Sequence, residues 1–397
     1  MKNFSYQNPT QIEFGRGTIQ SLSGLLPEDA RVLLLYGGGS IKKNGVYDQV
    51  KTALAIPAPI VTEMSGIEPN PEYETCLKAL DLIEEHNLNF ILSVGGGSVL
   101  DAAKFIAAAA WARGNGTAMT EPWDLITGQA PIEGALPVGA VLTLPATGSE
   151  MNTNSVISRR EIGQKIGFGS THLYPRFSIL DPETTFSLPL RQTANGIVDT
   201  FVHTTEQYLT QDVNTPIQDR WAEGILTTLI EVGPRCLKQP HAYQYRETLM
   251  WASTMALNGI IGVGTVQDWA THAIGHELTA MYGIDHGRTL AIVLPGLLSH
   301  EKQAKKDKLL MFARRVWGLS QGDETVLMDE AIGRMVLFFE NLGVHTRLQE
   351  YHIPPSAPPL DECPGIIAEI FRKRGGKIGE NQAIGPKEIE EILLSRL

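Results

Sequence analysis

Cysteine is scarce in this chain, and membrane-length apolar segments are missing. The three cysteines among the 397 residues, Cys76, Cys236 and Cys363, are far apart and odd in number. They indicate neither a disulfide framework nor a cysteine metal site, which is typical of the reducing cytoplasm. No apolar run has the length of a bilayer span, and the first residues lack the apolar core of a signal peptide. We therefore expect a cytoplasmic protein with no membrane partner.

Positive charge is also sparse. Lysine and arginine total 33 against 44 aspartates and glutamates, giving a formal net charge of −11. Lysines and arginines adjoin only in short pairs such as Lys42-Lys43, and no basic patch emerges. An acidic surface of this kind disfavours nucleic acid and anionic lipid as partners. A small-molecule substrate is the expectation that remains.

The order of the apolar segments indicates two domains. Short β-branched runs at 31–36, 89–94, 138–144 and 178–180 alternate with helical stretches, which predicts a parallel sheet with helices on both faces. After Pro189 helical spacing dominates, at 193–209, 217–230, 247–259, 269–282, 307–316, 329–341 and 387–397. We predict an α/β N-terminal dinucleotide-binding (Rossmann-like) domain over residues 1–185 and an all-helical C-terminal domain over 186–397.

Two copies of GGGS follow predicted strands. In the second copy, Gly95, Gly96, Gly97 and Ser98 lead into a helix predicted from Val99 to Trp111, an arrangement that presents backbone N–H groups to a phosphate. We assign it the cofactor pyrophosphate, with Ser98 capping the helix or binding a phosphate and Asp101 in the first helical turn. It is not the usual GxGxxG pattern, and a plain tight turn is the alternative.

The first copy bears on the choice of cofactor. In dinucleotide-binding folds, a carboxylate near the end of a strand binds the ribose 2′-hydroxyl. Here the chain offers Gly37, Gly38, Gly39 and Ser40, followed by Lys42 and Lys43. This composition favours NADP(H) over NAD(H), unless the two lysines only face water.

The end of the third predicted strand carries hydroxyl groups. Thr143, Thr147 and Ser149 lie at or just beyond the carboxyl end of that strand, where α/β sheets bind ligands. They are candidates for the nicotinamide ribose and amide. An N-cap for the next segment is the alternative for Ser149.

A candidate metal site lies in the second half. Asp199 and His203 are four residues apart in one predicted helix, as are His272 and His276 in another, and His286 follows in a predicted turn. Three imidazoles and one carboxylate suit Zn²⁺ or Fe²⁺, and no cysteine competes nearby. The residue after His272 is alanine, so the metalloprotease HExxH pattern is excluded.

Together these motifs resemble a known family along essentially the whole chain. GGGSIKKNG, GIEPNP (66–71), SVGGGSVLDAAK, LTLPATGSE, the Asp199/His203 helix, HAIGHELTAMYGIDHG and Gly-Glu-Asn (379–381) are similar to segments of the iron-containing (group III) alcohol dehydrogenases. The nearest branch is that of NADPH-dependent aldehyde reductases and butanol dehydrogenases.

The resemblance implies a role for each candidate residue. It makes Asp199, His203, His272 and His286 the metal ligands and His276 a catalytic residue near the nicotinamide and substrate. It adds cofactor contacts, which with those above are Gly37, Gly38, Gly39, Ser40, Asn70, Gly95, Gly96, Gly97, Ser98, Asp101, Thr143, Thr147, Ser149, Lys165 and Leu180. It also implies a homodimer or a larger assembly, and zinc as often as iron.

The expected activity is reversible, metal-dependent hydride transfer between NADP(H) and an aldehyde or primary alcohol. Glycerol or propanediol dehydrogenase activity is an alternative within the same reaction class. A lyase like dehydroquinate synthase is another, although the segments around His272 and His286 offer Arg288 but no lysine cluster for an acidic substrate. A non-catalytic metal-binding or nucleotide-binding protein is the third, and it has no need of His276.

Overall fold

The chain forms two compact units in a computed structural model that describes residues 1–56 and 59–397. The N-terminal unit comprises Gln7–Leu188 and His241–Thr254, and the helical unit comprises Met1–Tyr6, Pro189–Pro240 and Met255–Leu397. The first change of unit after the N-terminal arm, at Leu188, lies close to the boundary expected at residue 185. The return of His241–Thr254 to the N-terminal unit has no counterpart in the sequence pattern.

The N-terminal unit contains the parallel sheet expected from the sequence. Its strands are β1 Gln11–Phe14, β2 Arg31–Tyr36, β3 Ile60–Met64, β4 Phe90–Gly96, β5 Val138–Leu144 and β8 Phe177–Leu180, arranged in the order β1-β8-β5-β4-β2-β3. Strands β6 (Asn154–Arg159) and β7 (Gln164–Gly169) form a separate antiparallel pair. The helices of the N-terminal unit that precede Pro189 are α1 Leu22–Leu25, α2 Ser40–Lys43, α3 Val46–Leu54, α4 Tyr73–Glu85, α5 Gly97–Asn115 and α6 Trp123–Thr127.

Both faces of this sheet are covered. Alternate residues of β2 point to opposite faces, so that Leu33 packs in one buried apolar cluster with residues of α4 and α5. Its neighbour Leu34 packs in a second cluster with residues of α3. Burial on both faces explains why β2 is an unbroken apolar run.

The helical unit and the segment that interrupts it contain the remaining helices. These are α7 Leu190–Tyr208, α8 Pro216–Lys238, α9 Tyr243–Leu257, α10 Ala270–Tyr282, α11 His286–His300, α12 Lys306–Met311, α13 Glu324–Asn341, α14 Cys363–Arg374 and α15 Pro386–Leu394. A π-helical turn, Phe312–Val316, continues α12 where one uninterrupted helix was expected. Within the described ranges, no helix has both the length and the apolar character that crossing a membrane requires.

Helix α7 lies at the centre of the helical unit. Every residue from Thr193 to Tyr208 is buried. Its buried threonines keep their hydroxyls satisfied within the helix: Thr200 donates to the carbonyl of Gly196 at 2.7 Å, and Thr204 to that of Thr200 at 2.8 Å. Apolar packing comes from Phe201, whose ring lies 5.3 Å from that of Phe339. Polar side chains can therefore occupy the interior of this unit.

Candidate metal centre and cofactor-binding residues

Helix α7 places Asp199 and His203 side by side, as their four-residue spacing predicts. Both are 4 % exposed, and His203 Nδ1 lies 3.6 Å from Asp199 Oδ1. Buried Val198 and Val202 flank them on the same helix. Burying this carboxylate costs free energy unless it is paired with a cation. The location is therefore one where a metal ion would compensate an otherwise costly charge.

The other two predicted ligands come from α10 and α11. His272 Nε2 lies 3.9 Å and His286 Nε2 3.8 Å from Asp199 Oδ1. His286 is the first residue of α11, with Asp285 as N-cap, so its expected location in a turn is wrong. The sequence obscured this helix start because Gly283 and Asp285-His286-Gly287 are typical of turns.

The donor atoms fit a divalent cation. Ligand atoms of Asp199, His272 and His286 all lie within 4.8 Å of one another. The His203 ring stacks on that of His272, with centroids 4.6 Å apart. Four ligands about 2.1 Å from a tetrahedral ion lie about 3.4 Å from each other, close to the 3.6–3.9 Å spacings seen around Asp199 Oδ1. Three nitrogens and one oxygen without sulfur suit Zn²⁺ or Fe²⁺.

His276 lies beside this group without joining it. One turn after His272 on α10, its ring centroid is 5.0 Å from that of His286 and 6.2 Å from that of His272. It is half-buried, whereas His272 is buried. His276 thus lies at the edge of the candidate site, and the role expected for it, which is to act on a bound substrate and not to hold the metal, stays a prediction.

Glu206, which the sequence motifs did not single out, is a neighbour of the candidate metal site. It lies on α7, 3 % exposed, and its Oε2 contacts Nδ1 of His272 while its Oε1 accepts a hydrogen bond from the Thr271 backbone N–H at 2.6 Å. Burial and the charge of Asp268 raise the pKa of Glu206, against backbone hydrogen bonds from Thr271 and His272. The spacing in the sequence could have indicated this neighbour, because Glu206 follows His203 by three residues on the same helix face.

Trp269 also lies beside the candidate metal site. It was expected as the first residue of the helix, but α10 begins at Ala270 and Trp269 has φ +65° as its N-cap. This left-handed conformation is unfavourable for a bulky residue and persists only where surroundings impose it. The indole ring lies 5.3 Å from that of His272 and 6.1 Å from that of His203. An aromatic wall thus borders the candidate metal site.

The second glycine loop is sterically tight. Strand β4 extends through Gly96, and α5 starts at Gly97. A Cβ atom on Gly97 would lie 2.6 Å from Thr147 Oγ1, and one on Gly95 would lie 2.5 Å from Val99 Cγ2. Glycine is required here because strand, helix and the Thr147 loop pack without room for a side chain. The same packing brings the predicted residues Gly97 and Thr147 together.

Two expectations for this loop are wrong in detail. Ser98 lies inside α5 and does not cap it, since the N-cap is Gly96 without a side-chain hydrogen bond. Asp101 lies beyond the first turn because α5 begins two residues earlier than the expected Val99. Its carboxylate accepts hydrogen bonds from Ser149 Oγ at 2.8 Å and from the Val156 N–H at 3.1 Å. Asp101 and Ser149 therefore bond each other and brace the loop.

Lys104 completes the polar network behind this loop. Fully buried, its Nζ donates to Ser149 Oγ at 2.8 Å and to the carbonyls of Asn152 and Asn154 at 2.9 and 2.8 Å. Burial lowers the pKa of Lys104 to about 8, while the charges of Asp101 and Glu150 oppose that shift. The lysine holds 149–154 against α5, and so fixes Thr147 and Ser149 in place.

The first glycine loop has a neighbour that was not anticipated. Gly37 to Gly39 follow β2, and Ser40 begins α2. Nearby, Lys42 Nζ lies 5.1 Å from the Tyr36 ring centroid and 4.8 Å from that of Tyr47. The hydroxyls of both tyrosines donate to Glu63 of β3, at 3.1 and 2.7 Å. A carboxylate is thus present on the adjacent strand, with its oxygens occupied by the tyrosines.

The remaining predicted cofactor residues fall into two groups. Thr143 and Leu180 lie at the carboxyl ends of β5 and β8, the edge of a parallel sheet at which nucleotides bind. In the second group, Lys165 of β7 donates to Asn70 Oδ1 at 2.8 Å, and Asn70 has φ +57°. The pairing places two predicted residues 95 positions apart in direct contact.

Comparison with known proteins identifies the family. The model of iron-containing alcohol dehydrogenases matches residues 9–182, and that of the C-terminal region of Fe-containing alcohol dehydrogenases matches residues 193–396. The chain therefore belongs to the iron-containing alcohol dehydrogenase family. This confirms the resemblance read from the motifs, and with it the expected fold class.

Particular relatives are similar over their full length. The NADPH-dependent aldehyde reductase YqhD of Escherichia coli is 51 % identical over 97 % of both chains. A probable NADH-dependent butanol dehydrogenase of Bacillus subtilis is 40 % identical over both whole chains. The crystal structure of E. coli YqhD superposes with a TM-score of 0.94, 49 % identity and coverage of 100 % of this chain and 99 % of that one.

Proposed function

We propose that this protein is a metal-dependent oxidoreductase that interconverts aldehydes and primary alcohols with NADP(H), acting as an aldehyde reductase. The observation that carries the proposal is the convergence of Asp199, His272 and His286, whose ligand atoms lie within 4.8 Å of one another, with His203 Nδ1 3.6 Å from Asp199 Oδ1. The similarity of the chain to an NADPH-dependent aldehyde reductase and to a probable butanol dehydrogenase supports this reaction class. The substrate is a small aldehyde or alcohol.

We assign separate roles in the reaction to separate groups of residues. Asp199, His203, His272 and His286 would hold one Zn²⁺ or Fe²⁺, and the glycine loops with Thr147, Ser149 and Lys165 would hold the dinucleotide. When bound, the metal supplies Lewis acidity at the carbonyl oxygen and the nicotinamide supplies hydride. His276 passes a proton toward the oxygen from the edge of the site, a role suited to imidazole. Trp269 limits the access of water.

We also infer that the protein is a cytoplasmic homodimer. The homodimer is supported by membership of a family that the chain matches along almost its whole length. The cytoplasmic location is supported by the few, widely separated cysteines. Light scattering of the purified protein measures the assembly, and a monomeric mass would contradict the first inference.

The test is turnover by protein stripped with a chelator and reloaded with Zn²⁺ or Fe²⁺. We expect oxidation of NADPH with butanal only after reloading, and a preference for NADPH over NADH. In the same assay, His276→Gln is expected to lower kcat by 10²- to 10⁴-fold, the range of general acid catalysis, and to alter its pH profile.

Each alternative outcome has a separate meaning. Turnover that prefers NADH keeps the reaction class and contradicts the interpretation of Gly37 to Ser40. An unchanged rate and pH profile for His276→Gln removes the proton-transfer role alone. Bound metal without turnover with either cofactor would falsify the oxidoreductase proposal and favour a lyase or a binding protein.

A further inference from the structure

The carboxylate of Glu206 lies between the backbone N–H of Thr271 and the His272 ring at the start of α10. One oxygen contacts Nδ1 of His272, and the other accepts from the Thr271 backbone N–H at 2.6 Å. The group is 3 % exposed, so water does not replace either contact at low cost. With Nδ1 engaged, the nitrogen of His272 that faces Asp199 is Nε2, at 3.9 Å.

A second buried network fixes the backbone on both sides of this contact. The Asp268 N–H donates to the backbone carbonyl of Glu206 at 2.9 Å. The Oδ1 atom of Asp268 accepts from the N–H of Ala270, also at 2.9 Å. Lys305, 2 % exposed, donates to Asp268 Oδ2 at 2.5 Å and to Glu380 Oε1 at 2.6 Å. Its third contact is the Leu209 carbonyl at the end of α7, at 2.8 Å.

The network therefore joins the end of α7 to the beginning of α10. It also gives Glu380, within the Gly-Glu-Asn motif near the C-terminus, a structural function that the motif alone did not indicate. Because backbone and side chain are both held, the Glu206 carboxylate meets His272 at a fixed angle and not through a mobile surface group.

We propose that Glu206 is a positioning residue for the metal site, which holds the His272 ring so that Nε2 is the ligand atom. The inference rests on the proposed metal centre. A carboxylate behind a ligand histidine fixes its tautomer and raises its basicity, and loss of such a partner lowers metal affinity 10- to 100-fold.

Only a carboxylate meets both requirements at this place. An amide at position 206 has one oxygen and one NH₂ group, whereas the Thr271 N–H donates and Nδ1 of His272 must also donate when Nε2 binds the metal. If the oxygen faces His272, the NH₂ group opposes the Thr271 N–H. If the NH₂ group faces His272, Nδ1 must accept, and the ring proton moves to Nε2, where it blocks metal binding. Glu206→Gln is therefore a disruptive change in spite of its equal size.

The test uses the full-length protein and Co²⁺ as the probe. Affinity is measured by competition with a chromophoric chelator, and coordination by the visible absorption of bound Co²⁺. We expect Glu206→Gln to bind 10- to 100-fold more weakly than the unmodified protein, with a changed Co²⁺ spectrum because His272 is no longer held as a ligand. A carboxylate with a purely structural role would alter stability without changing the spectrum.

Glu223→Gln is the matched control. Glu223 is also a buried glutamate of the helical unit, 6 % exposed, and it accepts from Tyr208 Oη and Arg315 Nη1, both at 3.0 Å. We expect this variant to lose stability but to keep its Co²⁺ affinity within about twofold of the unmodified protein. If Glu206→Gln does not fold, Glu206→Asp replaces it, with the same expected weakening because the shorter side chain reaches only one donor.

The outcomes separate this inference from the proposed function. One Co²⁺ per chain, bound equally by the unmodified protein and by Glu206→Gln with the same spectrum, overturns the role of Glu206 and leaves the metal centre standing. Equal weakening in both glutamine variants also overturns it, since stability would then explain the loss. Failure of the unmodified protein to bind Co²⁺ overturns the metal centre itself, and the inference with it.

Discussion

The first glycine loop has one position where a side chain can be added without steric strain. A Cβ atom on Gly37 would lie 3.2 Å from the backbone oxygen of Ile67, and Gly39 has φ +88°, which side chains rarely adopt. A Cβ atom on Gly38 meets nothing within 4 Å. Gly38 is therefore the residue at which the proposed 2′-phosphate site can be tested.

Gly38→Asp is expected to reverse the preference for NADPH. The new carboxylate would repel a 2′-phosphate and accept a hydrogen bond from a 2′-hydroxyl. We expect kcat/KM for NADPH to fall at least roughly fivefold, since like charges a few ångströms apart cost about 1 kcal/mol even in water. The value for NADH is expected to change by less than about threefold, in steady-state assays with butanal and reloaded metal.

Gly38→Asn is the control for this change. It has the same shape without the charge, so we expect it to retain most of the activity with NADPH. An equal fall in both variants would mean that size at this position matters and charge does not.

At the scale of elements, the start of α11 depends on a close approach to α7. A Cβ atom on Gly287 would lie 2.5 Å from the backbone oxygen of Asn195, nearer than carbon and oxygen atoms can approach. Asp285 reinforces this contact, since its Oδ2 accepts from Arg191 Nε at 2.8 Å and Asn195 Nδ2 at 2.7 Å. Because His286 adjoins Gly287, the approach of the two helices sets the position of one predicted metal ligand.

Gly287→Ala is expected to separate α11 from α7. The overlap must be relieved by a shift of the backbone, at a cost of about 1–3 kcal/mol in the free energy of unfolding. We expect Co²⁺ affinity to fall as well, because His286 moves with the helix. Urea denaturation of the metal-free protein measures the first effect, and chelator competition the second.

Gly333→Ala is its counterpart in an exposed part of α13. A Cβ atom there meets nothing within 4 Å, so alanine is expected to stabilise the protein by about 0.5–1 kcal/mol. If Gly287→Ala behaves like Gly333→Ala, the close approach does not determine the site.

The elements that the sequence predicted are those with the strongest patterns. The expected bounds of β2 and β5 coincide with the structure because central parallel strands, buried on both faces, are continuous apolar runs. β1 and β3 were missed, since they lie at the sheet edges and are largely half-exposed or exposed. Helix α11 was missed because its first residues are typical of a turn and Pro295 lies inside it.

The candidate site shows the same division between local and distant information. The spacing of Asp199 and His203 predicts their contact, because one helix carries both. The packing of α10 and α11 against α7, which brings in His272 and His286, is not encoded in any local spacing, and motif resemblance supplied it. Glu206 and Glu63 were missed because their partners are fixed by packing and lie in other elements.

For the molecule as a whole, similarity identifies the reaction class more securely than the cofactor. Relatives named for NADPH and for NADH both match over nearly their whole length, at 51 % and 40 % identity. The preference must therefore depend on a few residues, which is why it is tested at one position of one loop. The ligands of the metal and the residues of the loops remain predictions until such tests are made.

The stability of the molecule in alkali depends on buried phenols, of which Tyr73 is the clearest. It is 2 % exposed, donates to Glu121 Oε2 at 3.3 Å and accepts from the Trp123 N–H at 3.3 Å. Burial, together with the charge of Glu121, raises the pKa of Tyr73 to about 12. The ordinary value in an unfolded chain is about 10.

The sign of the resulting pH dependence follows from proton binding. Below pH 10 the phenol is protonated in both states, and Tyr73 does not alter the slope of stability with pH. Between pH 10 and 12 the unfolded chain loses the proton while the folded protein keeps it, so the free energy of unfolding falls as the pH rises. We expect the free energy of unfolding of Tyr73→Phe to fall by about 1 kcal/mol less between pH 9 and 11 than that of the unmodified protein, because phenylalanine has no proton to release. Urea denaturation of the metal-free proteins at the two pH values measures this difference, and parallel losses in both would show that Tyr73 ionises as readily in the folded state as in the unfolded chain.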